Sequence, residues 1–360
     1  MATITYHNVG VKAMAACVPS EVVYNKDLAC LMSQEEVDKM INSVGIHERR
    51  ISPVDVCASD LCYKAALKLM EDNQIDPESI DMLLFMSQSP DFKSPATACI
   101  LQHRLGLSKS TACMDLTLAC SGYVYALSTA FAYASMEGVN RILLLDGETF
   151  TKYVNPRDKV NVPLYGDAGT ATLIEKGKYE FAVFDLNTDG SGEDAVKIPF
   201  GGCRNPFTVE SSIEKECENG NYRSDIQVYM DGMDVFNFAI GVVPKGVKTI
   251  LKEVGITIND LDYLLFHQSN KFMTNFFVKR LKFDSDKVPY SIQKYGNTSS
   301  ASIPLTICSE LSGTLISNKK VVMCGFGAGL SWGTAFIPFG DCCISPVSVS
   351  YTHLTLPTIA

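Results

Sequence analysis

The sequence predicts an α/β protein made of two duplicated halves, and three internal echoes carry that reading. Residues 75–85 (IDPESIDMLLF) return as residues 256–266 (ITINDLDYLLF), with Asp81 and Asp262 lying 181 positions apart. Residues 140–145 (NRILLL) return as 319–324 (KKVVMC) at an offset of 179. Residues 169–174 (GTATLI) return as 333–338 (GTAFIP) at an offset of only 164, so the first half carries an insertion before its copy. Echoes in one order at nearly one offset are the mark of duplication.

Taken in order, the chain starts with strand-like Ile4-Thr5-Tyr6 and reaches the first echo, which reads as a helix end, a turn and a buried strand. The run from Asp115 to Tyr123 is an apolar segment giving way to a small-residue helical pattern: Val124, Ala126, Leu127, Ala130, Phe131 and Ala134. The insertion falls near residues 150–165, where Asn155, Pro156 and Asp158 predict a loop of the kind that covers a site. The second half repeats the helix end and strand through residue 266. It adds a glycine turn with small residues at 295–304 and closes on a strand ending at Phe339. Each half therefore reads as strands alternating with helices, in the pattern of parallel sheets, with helices buried between the two. The boundaries expected are 1–175 and 176–341. Residues 345–360, rich in Ser, Thr and Pro without core periodicity, read as a probable non-native tail outside the fold, His353 included.

With 360 residues, 46% hydrophobic and 20% charged, the chain has the composition of a soluble globular protein with a sizeable core. The net charge of −9, with no block of Lys and Arg, argues against nucleic acid or an anionic membrane as partner. No apolar stretch approaches the length of a membrane span. Thirteen cysteines with no CxxC pair and no His/Cys metal spacing, and no signal peptide before the first strand, point to reduced thiols in the cytoplasm and to no metal site.

Three residues are hard to explain as packing. Cys120 stands at a helix start, where the positive end of the helix favours thiolate and free backbone N–H groups can hold an oxyanion. Of the five histidines, only His267 directly follows a buried-type strand; Met86 occupies the equivalent place in the first half, so packing does not demand a histidine there. Asn297 follows the turn at Gly296 and reads either as a helix cap or as a third chemical group. Cys, His and Asn admit two chemistries. One is a papain-like hydrolase in which Asn orients His. The other is a condensing enzyme in which His and Asn both donate to a thioester oxygen.

The strings Leu118-Ala119-Cys120-Ser121-Gly122-Tyr123, His267-Gln268-Ser269-Asn270, Gly296-Asn297-Thr298-Ser299 and Gly325-Phe326-Gly327-Ala328-Gly329-Leu330-Ser331-Trp332-Gly333 resemble, in order and spacing, the motifs of β-ketoacyl-acyl-carrier-protein synthase III. The likeness covers residues 1–340, with Gly45-Ile46-His47-Glu48-Arg49-Arg50 and Tyr165-Gly166-Asp167-Ala168-Gly169 also in register. It implies the thiolase fold, a duplicated five-layered α/β/α/β/α domain, and a homodimer. It implies Cys120 as the acyl-accepting nucleophile, His267 and Asn297 as the oxyanion hole, and the loop holding Gly325, Gly327, Ala328 and Gly329 as the floor beneath Cys120. The reaction implied is acyl transfer to Cys120, then decarboxylative Claisen condensation with malonyl-acyl carrier protein, with no cofactor.

Several positions depart from the family. Lys39 and Ser43 stand where a Trp and an Arg would sandwich the adenine of coenzyme A. Lys152 aligns with a phosphate-contacting Arg. Phe272 replaces a carrier-docking Arg, with Lys271 beside it, and Lys245, Lys248 and Lys252 fall at helical spacing as an alternative docking face. Ser94 replaces a bulky Phe that closes the acyl pocket from the partner subunit, which predicts a primer longer than acetyl. Competing readings are a non-condensing acyltransferase passing the acyl group to an alcohol or amine, the papain-like hydrolase, and a non-catalytic subunit of a larger assembly.

Overall fold

Two sheets with the same internal order give the duplication its physical form. A computed structural model describes residues 3–217, 220–312 and 319–350. In the first sheet Met82–Met86 runs parallel to Arg141–Glu148, which pairs antiparallel with Ala168–Lys176, which pairs antiparallel with Val9–Pro19. In the second, Tyr263–Phe266 runs parallel to Lys319–Gly327, which pairs antiparallel with Ser331–Phe339, which pairs antiparallel with Ala182–Thr188. Register agrees with the echoes: Met82 faces Ile142 as Tyr263 faces Val321.

The sheets are mixed, with antiparallel pairs beside the parallel ones that the alternation of strands and helices suggested. A parallel pair needs a crossover of a dozen residues or more, and only three residues join Gly327 to Ser331, so that pair must form a hairpin. The fully buried run of Met82–Met86 still fits its place between two parallel neighbours.

The layers follow from which faces are apolar. The small-residue helix Gly122–Ala134 and the helix Ser302–Glu310 lie in one core with Met14, Leu84 and Leu144 of the first sheet and Phe184, Leu265 and Met323 of the second. Small side chains let two sheets close on a helix from both sides. Helices Ala58–Asn73 and Thr97–Arg104 cover the outer face of the first sheet, and Gly232–Val254 and Lys271–Leu281 that of the second. The Asp231 carboxylate caps Gly232–Val254 by accepting from Met233 and Asp234 N–H, and Gly255, at φ 75°, ends it. The result is the five-layered α/β/α/β/α thiolase architecture.

The ends of the chain cross the expected boundaries. Thr3–Tyr6 joins the second sheet, antiparallel to Ala182–Thr188. Residues 345–350, expected outside the fold, lie against it: Ser348–Ser350 pairs with Val9–Pro19, and Ser345 donates from its backbone to Met14 O and from its hydroxyl to Asp72. The physical reason is that Val9–Pro19 offers a row of open backbone groups that an added strand satisfies. Residues 351–360 lie outside the described residues.

Candidate active site

Cys120 lies between the strand Ala112–Leu116 and the helix Gly122–Ala134, at the N-terminal end of that helix as its sequence setting predicts. Its backbone meets the glycine loop closely. A Cβ on Gly325 would stand 3.0 Å from Ser121 Cα, and one on Gly327 would stand 2.8 Å from Cys120 Cβ and 3.2 Å from its Sγ. Only glycine leaves room for the nucleophile there.

His267 follows the last strand residue of Tyr263–Phe266. Its backbone N–H donates to Cys324 O at 2.8 Å, Nδ1 lies 2.7 Å from Ser302 Oγ, and the ring meets Phe326 edge-on at 5.4 Å. Burial pushes its pKa down to about 3, with the Ser299 backbone acting the other way, so the ring is neutral. Asn297 is pinned by its backbone: its N–H donates to Leu164 O and its carbonyl accepts from Gly166. Its Oδ1 accepts from Ser299 N–H at 2.9 Å in a tight turn; the helix cap that the sequence allowed is not what it forms, since Thr298 holds the cap position before Ser299–Ala301, and among the described residues Nδ2 has no partner.

All three side chains line one cavity of about 100 Å³, together with Gln88, Phe150, Tyr165, Asn270, Met273, Gly327 and Ala328 among others. A papain-like relay is not what they form, because His267 Nδ1 is held by Ser302 and the Asn297 oxygen by Ser299. The thiol also departs from expectation. Burial pushes Cys120 up to about 12, with the Ser299 hydroxyl opposing the rise and Glu148 adding to it, so desolvation outweighs the helix start and the resting sulfur is a thiol.

The other expected positions fall elsewhere. Gly325 and Gly329 support the loop without lining the cavity. The Lys152 ammonium donates to Val54 O (2.9 Å) and Val56 O (2.7 Å) on the wall of a second cavity of about 530 Å³, which shares Tyr165 with the first. Ser94 lines a third hollow with Phe92 and Asp115. Phe272 is 59% exposed, its ring 5.6 Å from Phe236, one residue before the cavity-lining Met273. Lys271 lays its stem over Gly45, and Lys245, Lys248 and Lys252 are exposed on Gly232–Val254. Lys39 pairs with Glu35 on the exposed helix Gln34–Val44, and Ser43 donates to Met40 O on the same helix.

Sequence reasoning missed Ser299, Gln88 and Ser302. Ser299 Oγ lies 3.6 Å from Cys120 Sγ and accepts from Gln88 Nε2 at 3.2 Å, which leaves its proton for the sulfur. Ser299 sits at φ 51°, a left-handed turn that no periodicity announces.

Residues 114–190 match the family model of 3-oxoacyl-[acyl-carrier-protein] synthase III, and residues 251–339 that of its C-terminal part. The chain is 35% identical to a β-ketoacyl-[acyl-carrier-protein] synthase III of Desulfitobacterium hafniense over 92% of its own length and 97% of the relative's. It is 36% identical to that of Clostridium acetobutylicum over 88% of this chain and 94% of the relative. The chain belongs to the β-ketoacyl-acyl-carrier-protein synthase III family. A crystal structure of 3-oxoacyl-(acyl-carrier protein) synthase from Burkholderia xenovorans superposes with a TM-score of 0.91 at 34% identity, covering 97% of this chain and 99% of that one. Membership makes the chain a transferase of the condensing type. Among the described residues no helix is long and apolar enough to cross a membrane.

Proposed function

We propose that Cys120 accepts an acyl group from a coenzyme A or carrier-protein thioester, and that the chain joins it to malonyl-acyl carrier protein with loss of carbon dioxide, giving a 3-oxoacyl thioester in fatty-acid or specialised acyl-chain biosynthesis. The convergence of Cys120, His267 and Asn297 on one cavity carries the reading.

In the first half-reaction Cys120 Sγ bonds to the acyl carbon and the donor thiol leaves with the proton. Ser299 O–H steadies the sulfur as it ionises. In the second, the malonyl carboxylate leaves as carbon dioxide, and the electron pair moves onto the thioester oxygen. Ser302 Oγ accepts from Gln268 N–H at 3.3 Å, so its own proton is free for His267 Nδ1, which puts the ring proton on Nε2. Neutral His267 and the free Asn297 Nδ2 then donate to that oxygen. The enolate carbon attacks the acyl group, and Cys120 leaves as thiolate and is reprotonated. No cofactor is required by these steps.

The same reading makes the protein a cytoplasmic homodimer. The strand Ala112–Leu116 is the outer strand of its sheet, a ready edge for a second copy, and Ser94 would reach the acyl pocket of that copy. The exposed Lys245, Lys248 and Lys252, with exposed Lys271 and Phe272 just before the cavity-lining Met273, suit an acidic carrier protein.

The test separates the two half-reactions. Mass spectrometry of the Cys120 peptide should find acyl adducts with wild-type protein and none with Cys120→Ala. His267→Ala and Asn297→Ala should still load but lose carbon dioxide release from malonyl thioester by about 10²-fold or more, the cost of one oxyanion donor. Loading without any carbon dioxide release in the wild type would favour simple acyl transfer.

A further inference from the structure

A proton count behind the nucleophile gives two buried carboxyl groups different states. The Ser300 hydroxyl lies 2.6 Å from Asp146 Oδ1 and 3.3 Å from Glu148 Oε1, yet it carries one proton. Glu148 is otherwise well supplied: Oε1 accepts from Gln88 N–H at 3.0 Å, and Oε2 from Ser89 O–H at 2.8 Å and Ser87 O–H at 3.4 Å. Asp146 has nothing but Ser300, and its Oδ2 is buried with no partner. Both carboxyl groups are fully buried, and two adjacent charges there with one shared donor would leave lone pairs unmet.

We propose that Asp146 is a neutral carboxylic acid in the resting protein, donating from Oδ1 to Ser300 Oγ, which passes its own proton toward a Glu148 carboxylate, and that this single buried charge sets the ionisation of Cys120. Asp146 and Glu148 are positioning residues. Glu148 holds the Gln88 backbone, the Gln88 carboxamide holds Ser299 Oγ, and Ser299 faces the sulfur. Burial raises both groups, Asp146 far above the usual carboxylate range and Glu148 only to about 7, where its four donors hold it, so Glu148 is the one of the pair that ionises first. The titratable groups that feel the pair are Cys62 from Ala58–Asn73, Tyr123 from Gly122–Ala134, Tyr153 and Cys120, none of them cationic. The charge therefore opposes a resting thiolate and keeps Cys120 a thiol until a thioester enters.

The test reads the thiol itself, so it fails or stands apart from the condensation reading. The rate at which iodoacetamide alkylates Cys120, followed on its peptide by mass spectrometry across pH, should show a midpoint about one unit lower in Glu148→Gln, a tenfold larger thiolate fraction at a given pH. Asp146→Asn, which keeps a neutral donor beside Ser300, should leave the midpoint within about 0.3 unit of wild type. An equal shift in both variants would mean that Asp146 carries charge, and no shift in Glu148→Gln would mean that Glu148 does not act on the sulfur; either overturns the proposal. Should Glu148→Gln fail to fold, infrared difference spectra of wild type against Asp146→Asn at pH 7 decide. A protonated carboxylic-acid carbonyl band present in the first and missing from the second supports the assignment, and its absence from both refutes it.

Discussion

Replacing Gly327 by alanine should stall acyl loading while leaving the protein folded. The added methyl carbon would stand 2.8 Å from Cys120 Cβ, 3.2 Å from its N and 3.2 Å from its Sγ. Carbon atoms in contact prefer about 3.5–4.0 Å, so the nucleophile or the loop must move by roughly 0.7 Å or more. Overpacking of this size costs about 1–3 kcal/mol of stability. A displacement approaching 1 Å at a reacting atom costs about 10²-fold in rate. Quenched-flow mass spectrometry of the acyl-Cys120 peptide measures the loading rate. Gly202→Ala is the matched control, since a Cβ there meets nothing within 4 Å. Wild-type loading in Gly327→Ala would refute the claim that this glycine makes room for the sulfur.

Three further outcomes follow from the same geometry. Buried His267 stays neutral to about pH 3 in the folded chain but titrates near 6.5 when unfolded, so its contribution to stability is lost as pH falls below 6.5, about 2 kcal/mol by pH 5; comparing denaturant unfolding of wild type and His267→Gln at pH 7 and 5 should show that part of the slope missing from the variant. Arg49, buried, donates to Asn25 Oδ1 at 2.8 Å and to Tyr165 O at 3.0 Å; Arg49→Ala strands both acceptors and should cost about 2–4 kcal/mol in urea unfolding, with Arg49→Lys giving little rescue. A panel of acyl thioesters should load chains longer than acetyl onto Cys120, and Ser94→Phe should narrow that range; if acetyl alone loads on wild type, the wider-pocket reading is wrong.

Much of this was legible because duplication leaves a repeat in the sequence. The buried strands at 82–85 and 263–266 share a register with their parallel partners, so the echo reports real equivalence, and it also exposed His267 as the odd residue at a place that Met86 fills in the first half. What sequence could not show were contacts made by convergence. Ser299 reaches Cys120 through one left-handed residue, and Ser302 fixes His267 from a helix 35 residues on. The charge state of Cys120 was misread for a related reason: a helix start is a local feature, while desolvation and the Glu148 charge are delivered by distant segments. Mixed sheet direction escaped the periodicity, since a buried antiparallel strand in a five-layered core is as uniformly apolar as a parallel one.

The first strand has a consequence for how the molecule could be divided. Thr3–Tyr6 belongs to the sheet of the far half, while Val9–Pro19, two residues on, belongs to its own. A break of the chain between Lys176 and Ala182 would yield one fragment carrying a strand it cannot use and another lacking its border strand, with the shared central helices stripped bare on one side of each. The repeats therefore descend from one unit but no longer survive as separate pieces, and only co-refolding of the two fragments would restore the nucleophile's surroundings.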